Sequence, residues 1–132
     1  MKQLSILCVL FFMLGIHSTV QAQADQPSLK IVNLNQADGL LAKPPQVVLS
    51  PKDTLQFVAT NGEFAIFIEN AVEFLMIDEA DLHIHLDSST QPQSDIFIVR
   101  EVDRDIKTTY SFYCISGDSW PLAPPRIIIT VN

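Results

Sequence analysis

Basic side chains and glycines are scarce in this sequence of 132 residues. Only 8 Lys and Arg stand against 15 Asp and Glu, which gives a formal net charge of −7 at pH 7. A chain with so few cations lacks the basic footprint that neutralises phosphates, so the composition argues against nucleic-acid binding. The 4 glycines and the lack of an internal repeat exclude collagen-like and repetitive fibrous proteins. The length excludes a large multidomain enzyme.

The first residues have the pattern of a targeting signal. Lys2 is followed by an apolar run at residues 4–16 and then by polar and small residues. This order is typical of a secretory signal peptide, and the run is shorter than the roughly 20 residues that span a bilayer as a helix. We therefore expect residues 1–22 to be a signal peptide that is cleaved after Ala22. The protein is then exported, to the periplasm or the cell exterior, with no membrane span after cleavage.

Cleavage leaves a single cysteine, Cys114, because Cys8 lies within the removed segment. One cysteine cannot form an internal disulfide, although the destination is oxidising. We therefore expect residues 23–132 to form one domain that is held together by its hydrophobic core. Loss of Lys2 leaves 7 basic and 15 acidic residues, a net charge of −8.

Short runs of β-type residues recur along the mature chain at roughly ten-residue spacing, with turn-forming residues between them. The runs are 29–34, 46–50, 54–60, 64–68, 82–86, 95–100, 107–114 and 126–131. Asn61-Gly62 is the strongest hairpin signal and predicts that 54–60 turns back into 64–68. Residues 70–80 fit a short helix about as well as a strand. The pattern predicts an all-β domain, an antiparallel sandwich or a small barrel.

Two segments resemble cupredoxin-like domains. Residues 51–57, Pro-Lys-Asp-Thr-Leu-Gln-Phe, resemble the turn and entry of an early strand, and residues 110–114, Tyr-Ser-Phe-Tyr-Cys, resemble the Tyr-x-Phe-x-Cys penultimate strand. A proline-containing loop and an Ile-rich last strand follow, as in that family. The resemblance covers most of residues 45–132 and implies a single Greek-key β-sandwich. The immunoglobulin-like sandwich is the alternative, but there a Tyr stands where this chain has Phe112.

The resemblance also bears on copper. In copper-binding members the Cys is a ligand, a His and often a Met follow in the next loop, and an earlier strand supplies another His. Only Cys114 carries over, because the loop at 115–123 has no His or Met and the strand at 64–68 has no His. A blue-copper centre needs two imidazoles and a thiolate around one ion. The expectation is therefore a domain that has lost this centre and holds no cofactor.

The residues themselves suggest a different candidate metal site. On a strand, Asp81, His83, His85 and Asp87 all point to one face, because side chains alternate with a period of two. Two imidazoles can bind copper or zinc, and the carboxylates or Cys114 would complete the site. The competing interpretation is an amphipathic strand whose polar face meets water. Cys114 is otherwise a small buried hydrophobe or pairs with another chain.

The loop with Trp120, Pro121 and Leu122 is the second candidate site. An exposed Trp and Pro on a rigid loop make a contact surface for a protein partner, whereas a buried Trp120 would cover the end of the core. Enzyme motifs such as Gly-x-Ser-x-Gly, a phosphate-binding glycine loop or His-Glu-x-x-His are absent from the sequence. We therefore expect no enzymatic activity. The expected function is binding or assembly with an unidentified protein partner, and the alternative is copper or zinc binding through His83 and His85.

Overall fold

The structure is a computed structural model that describes residues 26–131. The predicted signal peptide, residues 1–22, lies outside the described residues. Ten strands follow one another: β1 Leu29–Asn35, β2 Ala42–Lys43, β3 Gln46–Leu49, β4 Thr54–Asn61, β5 Glu63–Ile68, β6 Leu82–Asp87, β7 Gln93–Ile98, β8 Ile106–Thr109, β9 Ser111–Cys114 and β10 Arg126–Ile129. A 3-10 turn at Ala71–Glu73 lies between β5 and β6. In residues 26–131 no helix is long and apolar enough to cross a membrane.

The strands form the two layers of a β-sandwich. One layer is a four-stranded sheet in the order β2-β1-β4-β7, and the other consists of the sheets β3-β10-β8 and β6-β5-β9. Only Tyr110 separates β8 from β9, so these two strands join the second layer. The N–H of Tyr110 donates to the carbonyl of Pro125 at 3.1 Å, beside the pair of Thr109 with Arg126. Its buried ring packs edge-on against Phe57, with ring centroids 5.5 Å apart.

Alternation along the central strands builds the core between the layers. β4 buries Leu55, Phe57 and Ala59, while their neighbours in sequence are half-exposed. Burying a large apolar side chain stabilises a fold by about 1.5–3 kcal/mol. The same alternation runs along β5, β6, β9 and β10, and all the buried apolar residues belong to one cluster. Cys114 is a free buried thiol within it. The predicted all-β sandwich is confirmed.

The strand pairing differs from the antiparallel prediction in two places. β1 runs parallel to β4, with Leu29 opposite Thr54, and β10 runs parallel to β3, with Arg126 opposite Gln46. Both pairs join strands that are distant in sequence, so no turn between them restricts their relative direction. The sequence pattern located most of the strands, missing the short β2 and displacing β7 by two residues, but it contained no information on these pairings.

Asp53 fixes the start of the parallel β1–β4 pair. Its carboxylate accepts the backbone N–H of Ser28 and that of Ser50, each at 2.8 Å. Asp53 is the one buried charged residue in the described part of the chain. Burial raises the pKa of this carboxyl. The hydrogen bonds from Ser28 and Ser50 together lower the pKa by more than burial raises it, so the pKa lies below its ordinary value.

The predicted hairpin at Asn61-Gly62 is wrong. β4 pairs with β1 and β7, whereas β5 pairs with β6 and β9. The turn therefore carries the chain from one layer to the other. Gly62 has a φ of +116°, which a residue with a side chain rarely adopts. The sequence correctly predicted a turn with positive φ, and only the pairing on either side of it was wrong, because each strand covers the core from its own layer.

Residues 70–80, which fitted helix and strand equally well, form neither beyond the single turn of 3-10 helix. Ala71, Phe74 and Leu75 are buried there, so the segment contributes apolar side chains to the core without regular structure. Arg100 holds it in place, because its Nε donates to the carbonyl of Leu75 at 3.0 Å.

Candidate functional site

The outer face of the β6-β5-β9 sheet carries a groove lined by aromatic side chains. The register places His85 beside Ala65 and Ala65 beside Tyr113, and it places His83 beside Phe67 in the adjacent row. These residues alternate with buried ones on all three strands, so they point away from the core. Two rows of outward side chains therefore span the sheet.

A tight loop brings Trp120 onto the same face. Cys114 and Ser119 pair as an antiparallel bridge, with reciprocal backbone hydrogen bonds of 2.9 and 3.1 Å. The next residues outward from this pair are Tyr113 and Trp120, which therefore face each other. Their ring centroids are 4.7 Å apart and the planes are tilted by 47°. Asp118 has a φ of +48° in the turn, a conformation that Asp and Asn adopt more readily than most residues.

The groove has a volume of about 340 Å³. The side chains of Ala65 and Ser111 in its floor are small, so they leave space between the aromatic side chains. The floor and walls include Ala65, Phe67, His83, His85, Ser111, Tyr113 and Trp120. Trp120 is 67% exposed, so it does not cover the end of the core. Within residues 26–131, a larger groove beside Glu73 and Ile106 and another beside Gln46 and Ile128 have no aromatic ring in their lining.

Carboxylates hold two of the aromatic side chains in the groove wall. Nε2 of His85 lies 2.7 Å from Oε1 of Glu63, on the adjacent strand. The hydroxyl of Tyr113 donates to Asp118. This hydrogen bond, together with burial and the charge of Asp118, raises the pKa of Tyr113. The phenol is therefore a neutral donor. The carboxylates of Glu63 and Asp118 place negative charge at the two ends of the row formed by His85, Ala65 and Tyr113.

The predicted metal-ligating residues are only partly brought together. His83 and His85 are both exposed on the outer face of β6, as expected. The carboxylate of Asp81 instead accepts the N–H of Asn70 at 2.8 Å, and that of Asp87 accepts the N–H of Ser89 at 2.9 Å. These hydrogen bonds cap the two ends of β6. In the described part of the chain, no group of three or more His, Cys, Asp or Glu side chains converges as metal ligands.

Cys114 lies on the other side of the same sheet. It is paired with Phe64, shares the inner face of its sheet with that residue, and is fully buried. Its Sγ is 3.7 Å from Oγ of Ser116. Because His83 and His85 point outward, the sheet itself separates the thiol from both imidazoles.

The structure divides the predicted contact loop. Trp120 belongs to the groove, whereas Pro121 and Leu122 line a separate small cavity of about 90 Å³ beside Leu40 and Pro45. Leu122 is 97% exposed. The two sites that the sequence suggested separately, the histidine strand and the tryptophan loop, therefore share one surface at Trp120, while the rest of the loop faces another way.

Sequence reasoning missed Tyr113, Phe67 and the gap at Ala65. Their signal was present, because Tyr113 alternates with the buried Phe112 and Cys114, and Phe67 alternates with Ile66 and Ile68. That alternation shows which residues point outward. It does not show which strands are adjacent, so the groove could not be assembled from it.

The comparisons with known proteins bear on the fold. No model of a known protein family matches the chain, and no curated protein matches it. A reduced amicyanin variant superposes with a TM-score of 0.50 at 13% identity, over 77% of this chain and 82% of its own. An oxidised amicyanin variant gives 0.49 at 14% identity, over 76% and 80%. A reduced Cu(I) form of an amicyanin variant at pH 4 gives 0.48 at 14% identity, over 76% and 80%.

The chain has a cupredoxin-like fold. Amicyanin is a cupredoxin, and the fold class that the Tyr-x-Phe-x-Cys segment suggested is therefore confirmed, in preference to the immunoglobulin-like alternative. At 13% identity the likeness extends to the fold alone. Among residues 26–131 the thiol of Cys114 and the two imidazoles lie on opposite sides of a sheet. The described donor set therefore does not fit a blue-copper centre.

Proposed function

We propose that this domain is an exported, non-enzymatic binding module and that the groove beside Trp120 is its site for a protein partner. The observation that carries the proposal is the contact between the tilted rings of Trp120 and Tyr113 beside the small side chain of Ala65. Exposed Trp and Tyr side chains with a concave surface beside them are the features of interface residues that contribute most to affinity. No enzymatic motif in the sequence competes with this interpretation.

The floor of the groove offers a direct test. Ala65 points outward between His85 and Tyr113, so an Ala65→Leu side chain fills the groove without entering the core. Leu122→Ala is the matched control, because Leu122 is an exposed apolar residue close to Trp120 in sequence but lies outside the groove. A partner is first obtained by photocross-linking from p-benzoylphenylalanine at Ser111, with the same group at Asn33 on the outer face of the other layer as control.

The purified partner is then titrated against each variant by calorimetry. Trp120→Ala and Ala65→Leu are each expected to weaken binding by at least about 30-fold, the loss typical of a central aromatic contact. Leu122→Ala is expected to change the affinity less than about twofold. Equal affinity for the wild type and Trp120→Ala overturns the proposal. Cross-linking that is as efficient from Asn33 as from Ser111 also overturns it.

Copper or zinc binding through His83 and His85 is the second candidate. The observation in its favour is that both imidazoles are exposed on one face of β6, with the Glu63 carboxylate on Nε2 of His85. A carboxylate in that position orients an imidazole ligand. Calorimetric titration with Cu(II), Cu(I) and Zn(II) tests it, with the double variant His83→Ala/His85→Ala as control. Micromolar binding that the double variant loses supports this candidate, and no heat with any ion excludes it.

A further inference from the structure

The sheet that carries the groove has a surface with acidic side chains and without Lys or Arg. Residues 53–99 and 108–125 contain all three of its strands and the Trp120 loop, and they contain no Lys or Arg. The basic side chains of the described chain lie elsewhere, with Lys107 and Arg126 in a groove on the β3-β10-β8 sheet. The lining of the groove beside Trp120 therefore contains no Lys or Arg.

Negative charge lies on both sides of the aromatic walls. Glu63 is hydrogen-bonded to His85, and Asp118 accepts from the hydroxyl of Tyr113. Asp87 stands opposite Glu63 in the register and adds to the charge at that edge. Two carboxylates are thus hydrogen-bonded to side chains that line the groove, and most of the lining is apolar or aromatic.

Aromatic faces combined with carboxylates favour one class of ligand, an organic cation. An ammonium or guanidinium group is attracted to the face of a Trp or Tyr ring, and Trp is the strongest of these partners. A guanidinium is planar, stacks on aromatic faces and pairs with carboxylates, so it matches both features at once. A divalent metal ion would need converging donor atoms, and the described residues offer no group of three.

We propose that the groove seats the guanidinium side chain of an arginine-bearing segment of the partner protein, stacked on Trp120 and Tyr113 and neutralised by Glu63 and Asp118. This inference rests on the proposed function and names the chemistry of the partner. The charge of the whole chain works in the same direction, because a net charge of −7 speeds the encounter with a basic segment.

Trp120 reports on its own binding site, because it is the one tryptophan in the sequence. The full protein is titrated with the peptide acetyl-Gly-Arg-Gly-Arg-Gly-amide while Trp120 emission is recorded. The same peptide with citrulline in place of arginine is the control, since citrulline keeps the shape and loses the charge. We expect saturable quenching by the arginine peptide and at least about tenfold weaker binding of the citrulline peptide. Equal binding of the two peptides overturns the inference.

Two substitutions separate the role of charge from that of shape. Glu63→Gln and Asp118→Asn each keep a hydrogen-bond acceptor, and Asn tolerates the positive φ at 118. Each is expected to weaken arginine-peptide binding about three- to tenfold, with a smaller dependence on salt than the wild type shows. Glu101→Gln is the control, because that exposed carboxylate pairs with Lys52 outside the groove. Unchanged affinity in both groove variants contradicts the inference.

Two further experiments test whether the cation belongs to a protein segment or to a small molecule, and separate the arginine inference from the proposed function. Free arginine amide that binds as tightly as the peptide would indicate a small-molecule ligand and overturn the assignment to a protein segment. If the partner requires Trp120 but binds Glu63→Gln and Asp118→Asn with unchanged affinity, the groove is still the partner site, and the inference that it binds an arginine side chain is overturned. If the partner binds Trp120→Ala with the affinity of the wild type, both proposals are overturned.

Discussion

The indole ring of Trp120 rests against the phenol ring of Tyr113, with ring centroids 4.7 Å apart. The contact follows from the backbone, because the bridge between Cys114 and Ser119 places the two rings across from each other on the outer face. A large exposed ring is thus held in one position by its neighbour. A binding surface benefits from such order, since less side-chain entropy is lost when a partner binds.

Removal of the Tyr113 ring should release Trp120. In Tyr113→Ala we expect a red shift of the Trp120 emission, stronger quenching by acrylamide and a loss of about 0.5–1 kcal/mol in the free energy of unfolding. Tyr113→Phe is the control that keeps the ring, and it should match the wild type in the emission and quenching measurements, while loss of the hydrogen bond to Asp118 lowers its free energy of unfolding. Identical acrylamide quenching in Tyr113→Ala and the wild type would show that the contact between the two rings does not form in solution.

Much of the architecture could be predicted from alternation alone. β1, β4 and β5 begin and end within one residue of the predicted runs, and buried side chains alternate with more exposed ones along β5 and most of β4. Which strands are adjacent was not predictable in the same way. Asn61-Gly62 is a local signal for a turn, and nothing local distinguishes a hairpin from a crossing between two layers.

The groove shows the same limit. His85 and Tyr113 are far apart in sequence and meet only because both flank Ala65 on the central strand. The alternation on each strand indicated which residues point outward, and Trp120 was predicted to be a contact residue. These residues form one groove only because of strand pairings that no spacing in the sequence specifies. Candidate site residues on a single strand are therefore easier to predict than a site that several strands form together.

Gly62 should be intolerant of any side chain. Its φ is +116°, and a Cβ built there would lie 2.9 Å from Oε1 of Gln36 and 3.0 Å from Oγ of Ser116. We expect Gly62→Ala to lower the free energy of unfolding by about 1–3 kcal/mol, measured by urea denaturation. Gly39→Ala is the matched control, because a Cβ at Gly39 meets nothing within 4 Å, and it should be neutral or slightly stabilising. Equal effects of the two variants would contradict the strained crossing.

Cys114 should be inert in the folded protein. Its side chain is fully buried between β-strands, and a thiol reacts as an exposed thiolate. Alkylation by iodoacetamide, resolved for each cysteine by mass spectrometry, is expected to modify Cys114 only in denaturant. Alkylation of Cys114 without denaturant, at the rate of an exposed thiol, would contradict its burial and reopen the interpretation in which it pairs with another chain.

Asp53 should make the stability depend on pH in one direction. Because its pKa is lower in the folded chain than in the unfolded chain, the carboxylate stabilises the fold above about pH 4. That stabilisation is lost as the pH falls through the folded-state pKa. Asp53→Asn replaces charged hydrogen bonds to Ser28 and Ser50, so we expect it to lower the free energy of unfolding by about 1.5–3 kcal/mol at pH 7.

The difference between the wild type and Asp53→Asn should then shrink as the pH falls, because both side chains are neutral in strong acid. Urea denaturation at a series of pH values from 7 to about 2.5 measures it. Asp103→Asn is the control, since Asp103 is exposed on a turn and its replacement should change the free energy of unfolding by less than about 0.5 kcal/mol. A difference that stays constant across this range would mean that Asp53 acts through its shape rather than its charge.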